Sequence, residues 1–326
     1  MSHEQAKRLA GLRVVVIGAG ASGLCTAVRL AQAGSRVRLC DPSDVREEAS
    51  GVAAGMLAPI GEALFDDPAH LPLWRGAAAL WAAFADTVPG LQIVRCGARF
   101  AGVPKPPAGL GLTAEAGEFH SGEDARLDPW AALQALEAAF AAAGGERRWT
   151  RLDAPPQDSD IVILAAGFAS KGFAAFADEL SVLTPIKGQL LRFEGGPAEG
   201  PILRAPEGYL TPSRLGAAVG ATMEPGLSDR TPTEAARTRL LDVAERLSPG
   251  LSTRPHRLLA GVRASTPDGL PIVGPSSRKG LFIATGMRRN GWLLGPLVAE
   301  IALSYLSGDD GGPHAAALDP RRFDRS

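Results

Sequence analysis

Gly18, Gly20 and Gly23 form a GxGxxG run, and Asp41 follows about 20 residues beyond its first glycine. Residues of these types at this spacing bind a dinucleotide. Gly18 makes a tight turn, Gly20 lets a diphosphate approach the backbone, and Gly23 lets a helix pack close to a strand. Free N–H groups at the helix start, where Ala21 and Ser22 stand, receive the phosphate charge together with the helix dipole. Asp41 falls where an acid accepts hydrogen bonds from ribose hydroxyls, which suits an unphosphorylated ribose. The alternative is a glycine-rich turn in some other strand–helix–strand unit. Strand, glycines, helix, strand and acid in sequence favour the dinucleotide. This unit leaves open whether the ligand is FAD or a nicotinamide dinucleotide. The five histidines, His3, His70, His120, His256 and His314, show no ligand spacing, so no metal site is expected.

The elements that position these residues are legible in the same pattern. Residues 14–17 are a short β-branched run, as in a strand buried on both faces of a parallel sheet. Leu24, Ala27, Val28 and Ala31 recur at helical spacing, Gly34 can cap that helix, and Val37 and Leu39 alternate into a second strand. Residues 73–84 predict a helix with Trp74, Ala77, Ala78, Trp81 and Phe84 on its core face, and residues 92–100 predict a strand. Asp128-Pro129 opens another helix, with Trp130, Leu133, Leu136 and Phe140 inward and Gly144-Gly145 as its stop. Residues 160–167 read as a second buried strand entering a glycine turn at Ala166 and Gly167.

Beyond Leu183 the texture is antiparallel, with short strands at 186–193, 209–212 and 217–223. Thr231-Pro232-Thr233-Glu234 has the form of a capping box, opening a helix that carries Leu240, Leu241, Ala244 and Leu247. Residues 281–284 are a third buried strand, running into a glycine turn and a helix. The expected fold class is α/β: a Rossmann-like nucleotide-binding domain (11–90, 124–182 and 259–308) interleaved with a smaller α+β substrate domain (91–123 and 183–258) built on an antiparallel sheet. Residues 1–10 and 309–326 are expected to be tails, the first frayed and solvated.

Composition narrows the partners. The 326 residues are 45% apolar and 21% charged, ordinary for a soluble globular protein, and long enough for one large or two ordinary domains. A net charge of −1 gives no reason to expect nucleic acid or an anionic membrane as partner. No apolar run approaches the roughly 20 residues that span a bilayer, and the N-terminus has no hydrophobic signal core. Cys25, Cys40 and Cys96 are scattered and odd in number, which fits a reducing cytoplasm. Oligomeric state is not legible.

Four blocks, VVVIGAGASGL, ASGVAAGMLAP, YLTPSRLGAAVGATMEPG, and GVRASTPDGLPIVGP followed by TGMRRNGWLLGP, are spread across nearly the whole chain. In content and order they resemble the D-amino-acid oxidase superfamily of flavoproteins, and within it the glycine oxidases of thiamine biosynthesis. The last two blocks are specific to that group, whereas the first is common to many flavoproteins. The resemblance implies a non-covalently held FAD and oxidation of a small amine-bearing acid. It implies that Ser50, Ala53, Ala54, Gly55 and Met56 lie along the cofactor, which explains the small residues of 50–55. It implies that Gly286, Arg289, Asn290, Gly291, Trp292 and Leu293 bring backbone donors to the flavin's pyrimidine edge, where a helix N-terminus favours the reduced anion. Arg263 is implied as the substrate-carboxylate anchor, Tyr209 as a hydroxyl donor to the same carboxylate, Arg289 as a residue shaping the site, and Met223 as an apolar wall. The competing roles are surface ion pairs for the two arginines, and core packing with the hydroxyl on a backbone carbonyl for Tyr209.

The chemistry so implied is hydride transfer from the α-carbon of a neutral amine to flavin N5, hydrolysis of the imine, and reoxidation by oxygen or another acceptor. No side-chain acid or base is required. The alternatives are a dehydrogenase or oxidase of another D-amino acid or a secondary amine such as sarcosine or proline, and a flavoprotein that binds FAD without catalysis. Three departures stand out. Met287 replaces a frequent histidine and Trp292 a small aliphatic residue. The segments 144–159 and 91–123 are shorter than the family's, which implies a reduced substrate domain and a more open site. The absence of cysteine after Cys96 excludes a cysteinyl flavin link from the C-terminal region.

Overall fold

A computed structural model describes residues 3–214 and 216–323. The strand Arg13–Ile17 is the centre of a six-stranded sheet because its apolar run is buried throughout Val14 to Ile17. It pairs in parallel with Arg36–Cys40 on one side and Ile161–Leu164 on the other. Leu281–Thr285 extends the sheet in parallel beyond Ile161–Leu164, and Ile272–Pro275 closes that edge antiparallel. The opposite edge is a short strand, Glu146–Arg148, parallel to Arg36–Cys40. This single strand is what occupies the short segment 144–159.

The helices follow their sequence signals. Ala21–Gln32 leaves the glycine motif, and Gly291–Leu306 packs along it, with Gly295 so close to Cys25 that a Cβ would lie 2.9 Å from its Sγ. Leu71–Asp86 buries Trp74, Ala77, Trp81 and Phe84. In Pro129–Ala142, the N-cap Asp128 accepts from Ala131 N–H. All four helices contribute to one large core on the same face of the sheet.

The second sheet has nine strands and is organised by a ten-residue ribbon, Thr184–Phe193 paired antiparallel with His256–Ser265 along its whole length. Ala218–Gly220, Gly208–Thr211 and Ile202–Ala205 follow in antiparallel order. The sheet is mixed rather than wholly antiparallel, since Ile202–Ala205 pairs in parallel with Ala98–Phe100. The helix Glu234–Leu247 covers this sheet with Leu240, Val243 and Ala244.

Five expectations need correction. The segment 92–100 is not one strand: it breaks at Gly97 into Val94–Arg95 and Ala98–Phe100, which belong to different sheets. The capping box at 231–234 does not form. Asp229 accepts from Thr231 N–H and Gln189 Oε1 from Thr233 N–H, so the N-cap is Thr233 and the helix begins at Glu234. The N-terminal segment is a helix, His3–Leu9, whose Leu9 is fully buried, rather than a frayed tail. The C-terminal segment is also packed: Leu318 is buried, and Arg322 pairs with Asp268 at 2.8 Å and donates to the Leu270 carbonyl. Residues 1–2 and 324–326 lie outside the described residues. The expected boundary between 258 and 259 falls inside the strand His256–Ser265, so Arg263 is carried by the mixed sheet and not by the parallel one.

Candidate active site

A cavity of about 660 Å³ runs from the C-terminal ends of Arg13–Ile17 and Arg36–Cys40 to the turn before Gly291–Leu306. This is the crevice at the carboxyl ends of parallel strands where ligands bind in open α/β sheets. At its near end Gly18 has φ +106°, and an added Cβ would lie 2.5 Å from the Ala165 carbonyl oxygen. A Cβ on Gly23 would run into the Gly18 carbonyl, so that glycine does not face the cavity but lets helix and strand touch. A Cβ on Gly20 would reach Ser50 Oγ at 3.0 Å.

Asp41 accepts from Ala19 N–H at 2.8 Å on one oxygen and from the N–H and hydroxyl of Ser43, at 2.9 and 2.6 Å, on the other. Each carboxylate oxygen has about two acceptor sites, so capacity remains for hydroxyls. Ser50 Oγ accepts from Ala21 N–H at 2.9 Å, tying residue 50 to the helix N-terminus.

Of the residues expected along a cofactor, Gly18, Gly20, Ala21, Ser22, Asp41, Ser50, Ala53, Ala166, Gly167, Gly286, Arg289, Gly291 and Trp292 line this cavity. The others stand behind its wall. Ala54 is buried in a small core with Val52, Leu190 and Ala218. Gly55 would clash through a Cβ with the Leu127 carbonyl, and Met56 pairs with Arg126 in a short strand contact. Asn290 and Leu293 are buried beneath the turn, Leu293 offering its carbonyl to Trp81 Nε1 at 3.1 Å. Trp292 is only 3% exposed, and its indole N–H donates to the Ser50 carbonyl at 2.9 Å, so its bulk is absorbed by the core. Residues 150–153 wall the end beside Asp41, and Arg288 walls the other end. Neither group was singled out from sequence, since residues 150–153 lie in an irregular loop without periodicity.

The far end is rich in arginine. Arg263 lies across Gly188, whose missing Cβ makes room for the guanidinium, and Nη1 donates to the Thr222 carbonyl at 3.1 Å and touches Met223 Sδ at 3.2 Å. Among the described residues it has no carboxylate partner. Burial lowers its pKa below the ordinary guanidinium value, opposed by Tyr209 and reinforced by the Arg289 and Arg288 charges. Tyr209 lies over Gly220, where a Cβ would sit 2.5 Å from the hydroxyl oxygen, and its ring packs on the Val52–Leu190 cluster. Burial raises the phenol pKa, and among the described residues the hydroxyl donates to no carbonyl. Met223 is 39% exposed beside Arg263, and neither it nor Tyr209 is among the residues that line the cavity.

Arg289 is placed differently from Arg263. Its Nε donates to Glu62 Oε2 at 2.5 Å, and Nη2 lies 3.8 Å from Asp66. Burial lowers its pKa, but Glu62 and Asp66 outweigh that and raise it. Arg288 adopts φ +49°, unusual for a non-glycine residue. It is held there by its N–H to the Ala264 carbonyl at 2.7 Å and by Asp66 at 2.7 and 2.9 Å. Glu62 was also missed from sequence. Its signal was a lone acid in the otherwise apolar run 56–65.

One cavity thus joins the glycine turn and Asp41 at one end to the arginine-bearing turn 286–291 at the other. Among the described residues no group of His, Cys, Asp and Glu side chains is placed to hold a metal, and no helix is long and apolar enough to cross a membrane.

The family of FAD dependent oxidoreductases termed DAO matches residues 13–304. The chain is 29% identical over 363 aligned residues to a glycine oxidase of Pseudomonas aeruginosa, covering 94% of this chain and 98% of that protein. It is 32% identical over 340 residues to the bifunctional protein ThiO/ThiG of a Nostoc species, covering 88% of this chain and 51% of that protein, and so spans about half its length. The solved structure of glycine oxidase from Geobacillus kaustophilus has the same fold, with a TM-score of 0.83 over 97% of this chain and 100% of that one at 24% identity. With that match spanning both the glycine cradle and the arginine-rich turn, the chain belongs to the DAO family of FAD-dependent oxidoreductases.

Proposed function

We propose that this glycine-oxidase-like enzyme carries out oxidative deamination of a small amino acid, with Arg263 anchoring the substrate carboxylate. One observation carries the reading: Arg263 is a cavity-lining guanidinium without a carboxylate partner among the described residues, while its neighbours Arg288 and Arg289 are both paired. A planar guanidinium holds a carboxylate by two parallel hydrogen bonds. Tyr209, whose hydroxyl has no hydrogen-bond partner among the described residues, donates to the same carboxylate, and Met223, in contact with Arg263, supplies an apolar wall.

The residues fit FAD. Gly18 has no room for a side chain and one on Gly20 would press on Ser50 Oγ, Asp41 retains acceptor capacity for ribose hydroxyls, and Ser50 and Ala53 present little bulk beside the turn. Ser22 at the helix start offers the backbone charge complement to a diphosphate, and the cofactor is held non-covalently. When bound, FAD supplies acceptance of a hydride equivalent from the substrate α-carbon. The protein's part is orientation: two anchoring groups fix the carboxylate, and thereby the α-carbon, in one pose. The N-terminus of Gly291–Leu306 favours negative charge at the adjoining end of the cavity. Glu62 and Asp66 are held in ion pairs with Arg289 and Arg288, so among the described residues neither carboxylate beside the turn stands free as a base. The substrate amine therefore enters neutral. The imine product is hydrolysed by water to oxoacid and ammonia, and oxygen is the terminal acceptor, released as hydrogen peroxide. The reading extends to thiamine (thiazole) biosynthesis, which a requirement for thiamine in a deletion strain tests.

The deciding experiment is anaerobic reduction of the FAD-loaded protein by a panel of glycine, sarcosine, D-proline and other D-amino acids. Bleaching by glycine supports the proposal, and bleaching only by other amines assigns the alternative substrate class. No bleaching by any of them overturns the enzymatic assignment to this substrate class. Peroxide release in air then separates oxidase from dehydrogenase.

A further inference from the structure

Four guanidinium groups converge where the helix Pro59–Phe65 meets the turn 286–290, and Glu62 and Asp66 pair three of them. Glu62 takes Arg289 Nε on one oxygen at 2.5 Å and Arg204 Nη1 on the other at 3.3 Å. Asp66 takes Arg288. Arg263 is the fourth. Glu62 is 4% exposed and Arg204 7%, so solvent screens this pairing little.

Glu62 is aimed by several independent contacts. A Cβ at Gly61 would collide with the Arg204 guanidinium, so Arg204 reaches Glu62 because residue 61 has no side chain. The Phe65 ring covers the same guanidinium at 4.6 Å. The fully buried Asp124 accepts from Ile60 N–H at 3.0 Å and Gly61 N–H at 3.3 Å, fixing the turn that presents Glu62.

We propose that Glu62 sets how many substrate carboxylates the site accepts. By holding Arg289 through Nε, although Nη2 keeps no hydrogen-bond partner, it neutralises that guanidinium and leaves Arg263 as the one of the four without an acid partner among the described residues, and so selects substrates with a single carboxylate over dicarboxylates. This rests on Arg263 being the carboxylate anchor. Glu62 acts through Arg289 and is a specificity-determining, positioning residue. Its buried negative charge also repels a second substrate carboxylate, a repulsive element of the kind that specificity requires.

The test uses the FAD-loaded protein and the visible flavin band as a binding signal, independent of turnover. Acetate is titrated against malonate and succinate in the unsubstituted protein, Glu62→Gln and Glu62→Asp. Acetate should bind the unsubstituted protein more tightly than either dicarboxylate. In Glu62→Gln the ratio should move about tenfold toward the dicarboxylates, the scale of one charge-assisted hydrogen bond. Glu62→Asp, which keeps the charge, should retain the original ratio. Where Glu62→Gln fails to fold, Glu62→Gln/Arg204→Met removes the second buried cation as well and should give the same shift. Weakening of all three anions alike, or an unchanged ratio, overturns the role of Glu62. It leaves the anchor reading standing provided acetate binding is lost in Arg263→Leu. Acetate binding that survives Arg263→Leu overturns the anchor reading, and this inference with it.

Discussion

Arg263 and Tyr209 carry the sharpest consequences at the scale of single residues. Removing one partner of a desolvated charge pair costs about 2–5 kcal/mol. Arg263→Leu should therefore raise the apparent KM for the preferred amino acid by roughly 100-fold or more, or abolish turnover. The protein should remain yellow and folded, because among the described residues the Arg263 guanidinium bonds to a carbonyl and a thioether and to no acid. Near-normal steady-state kinetics would sink the assignment. Tyr209→Phe removes one hydroxyl that has no partner among the described residues. It should cost about 1 kcal/mol of substrate binding, a several-fold rise in KM, with the melting temperature almost unchanged. A large loss of stability instead would mean the hydroxyl is structural.

At the scale of elements, two glycines make opposite predictions although both are too crowded for a Cβ. At Gly23 the obstacle is the Gly18 backbone carbonyl. Strand and helix would have to separate, so Gly23→Ala should destabilise the fold by about 1–3 kcal/mol and weaken FAD retention. Thermal melting and FAD release on gel filtration check this. At Gly188 the obstacle is the tip of the Arg263 side chain, which can swing away at little cost. Gly188→Ala should melt close to the unsubstituted protein yet show a raised KM, and a normal KM would mean the guanidinium is not held where the ribbon Thr184–Phe193/His256–Ser265 now presents it. The same ribbon explains why the expected boundary at 258/259 fails: ten consecutive pairings bind that strand to the mixed sheet.

Across the whole molecule, acid–base linkage shows where stability is set. Burial pushes the Asp124 carboxyl up to about 7, although Arg204 and the Ile60 and Gly61 amides oppose the shift. An unfolded aspartate titrates near about 4. Between those values the folded chain holds a proton that the unfolded chain has lost. The group's contribution is thus greatest below pH ~4 and declines as pH rises toward 7. Asp124→Asn cannot titrate. Its melting temperature relative to the unsubstituted protein should therefore improve steadily from pH 5 to pH 8, and a difference that is flat with pH would refute the assignment. The substituted side chain joins the first turn of Pro59–Phe65, the 124–126 segment and Arg204, so this experiment reads the seam between the two sheets.

Much of the architecture was determined by the sequence alone. Its buried strand runs, the glycine spacing, the Asp128-Pro129 cap and the apolar helix faces are local signals, and each reports the conformation of a few adjacent residues. Hence Arg13–Ile17, Ala21–Gln32, Leu71–Asp86 and Pro129–Ala142 stand where periodicity puts them. The block order, a one-dimensional property, was enough to mark the resemblance to amino-acid oxidases. Tertiary structure decided what depends on partners far apart in the chain. It closed the N-terminal helix onto the core, moved the cap from Thr231 to Thr233 through Gln189, and carried Ala54, Gly55 and Met56 behind the cavity wall. Above all, it separated arginines that look alike in sequence. Arg289 meets Glu62 across 227 residues and Arg288 meets Asp66 across 222, while Arg263 meets no acid among the described residues. A guanidinium's availability is a property of its surroundings in space, and no local pattern encodes it.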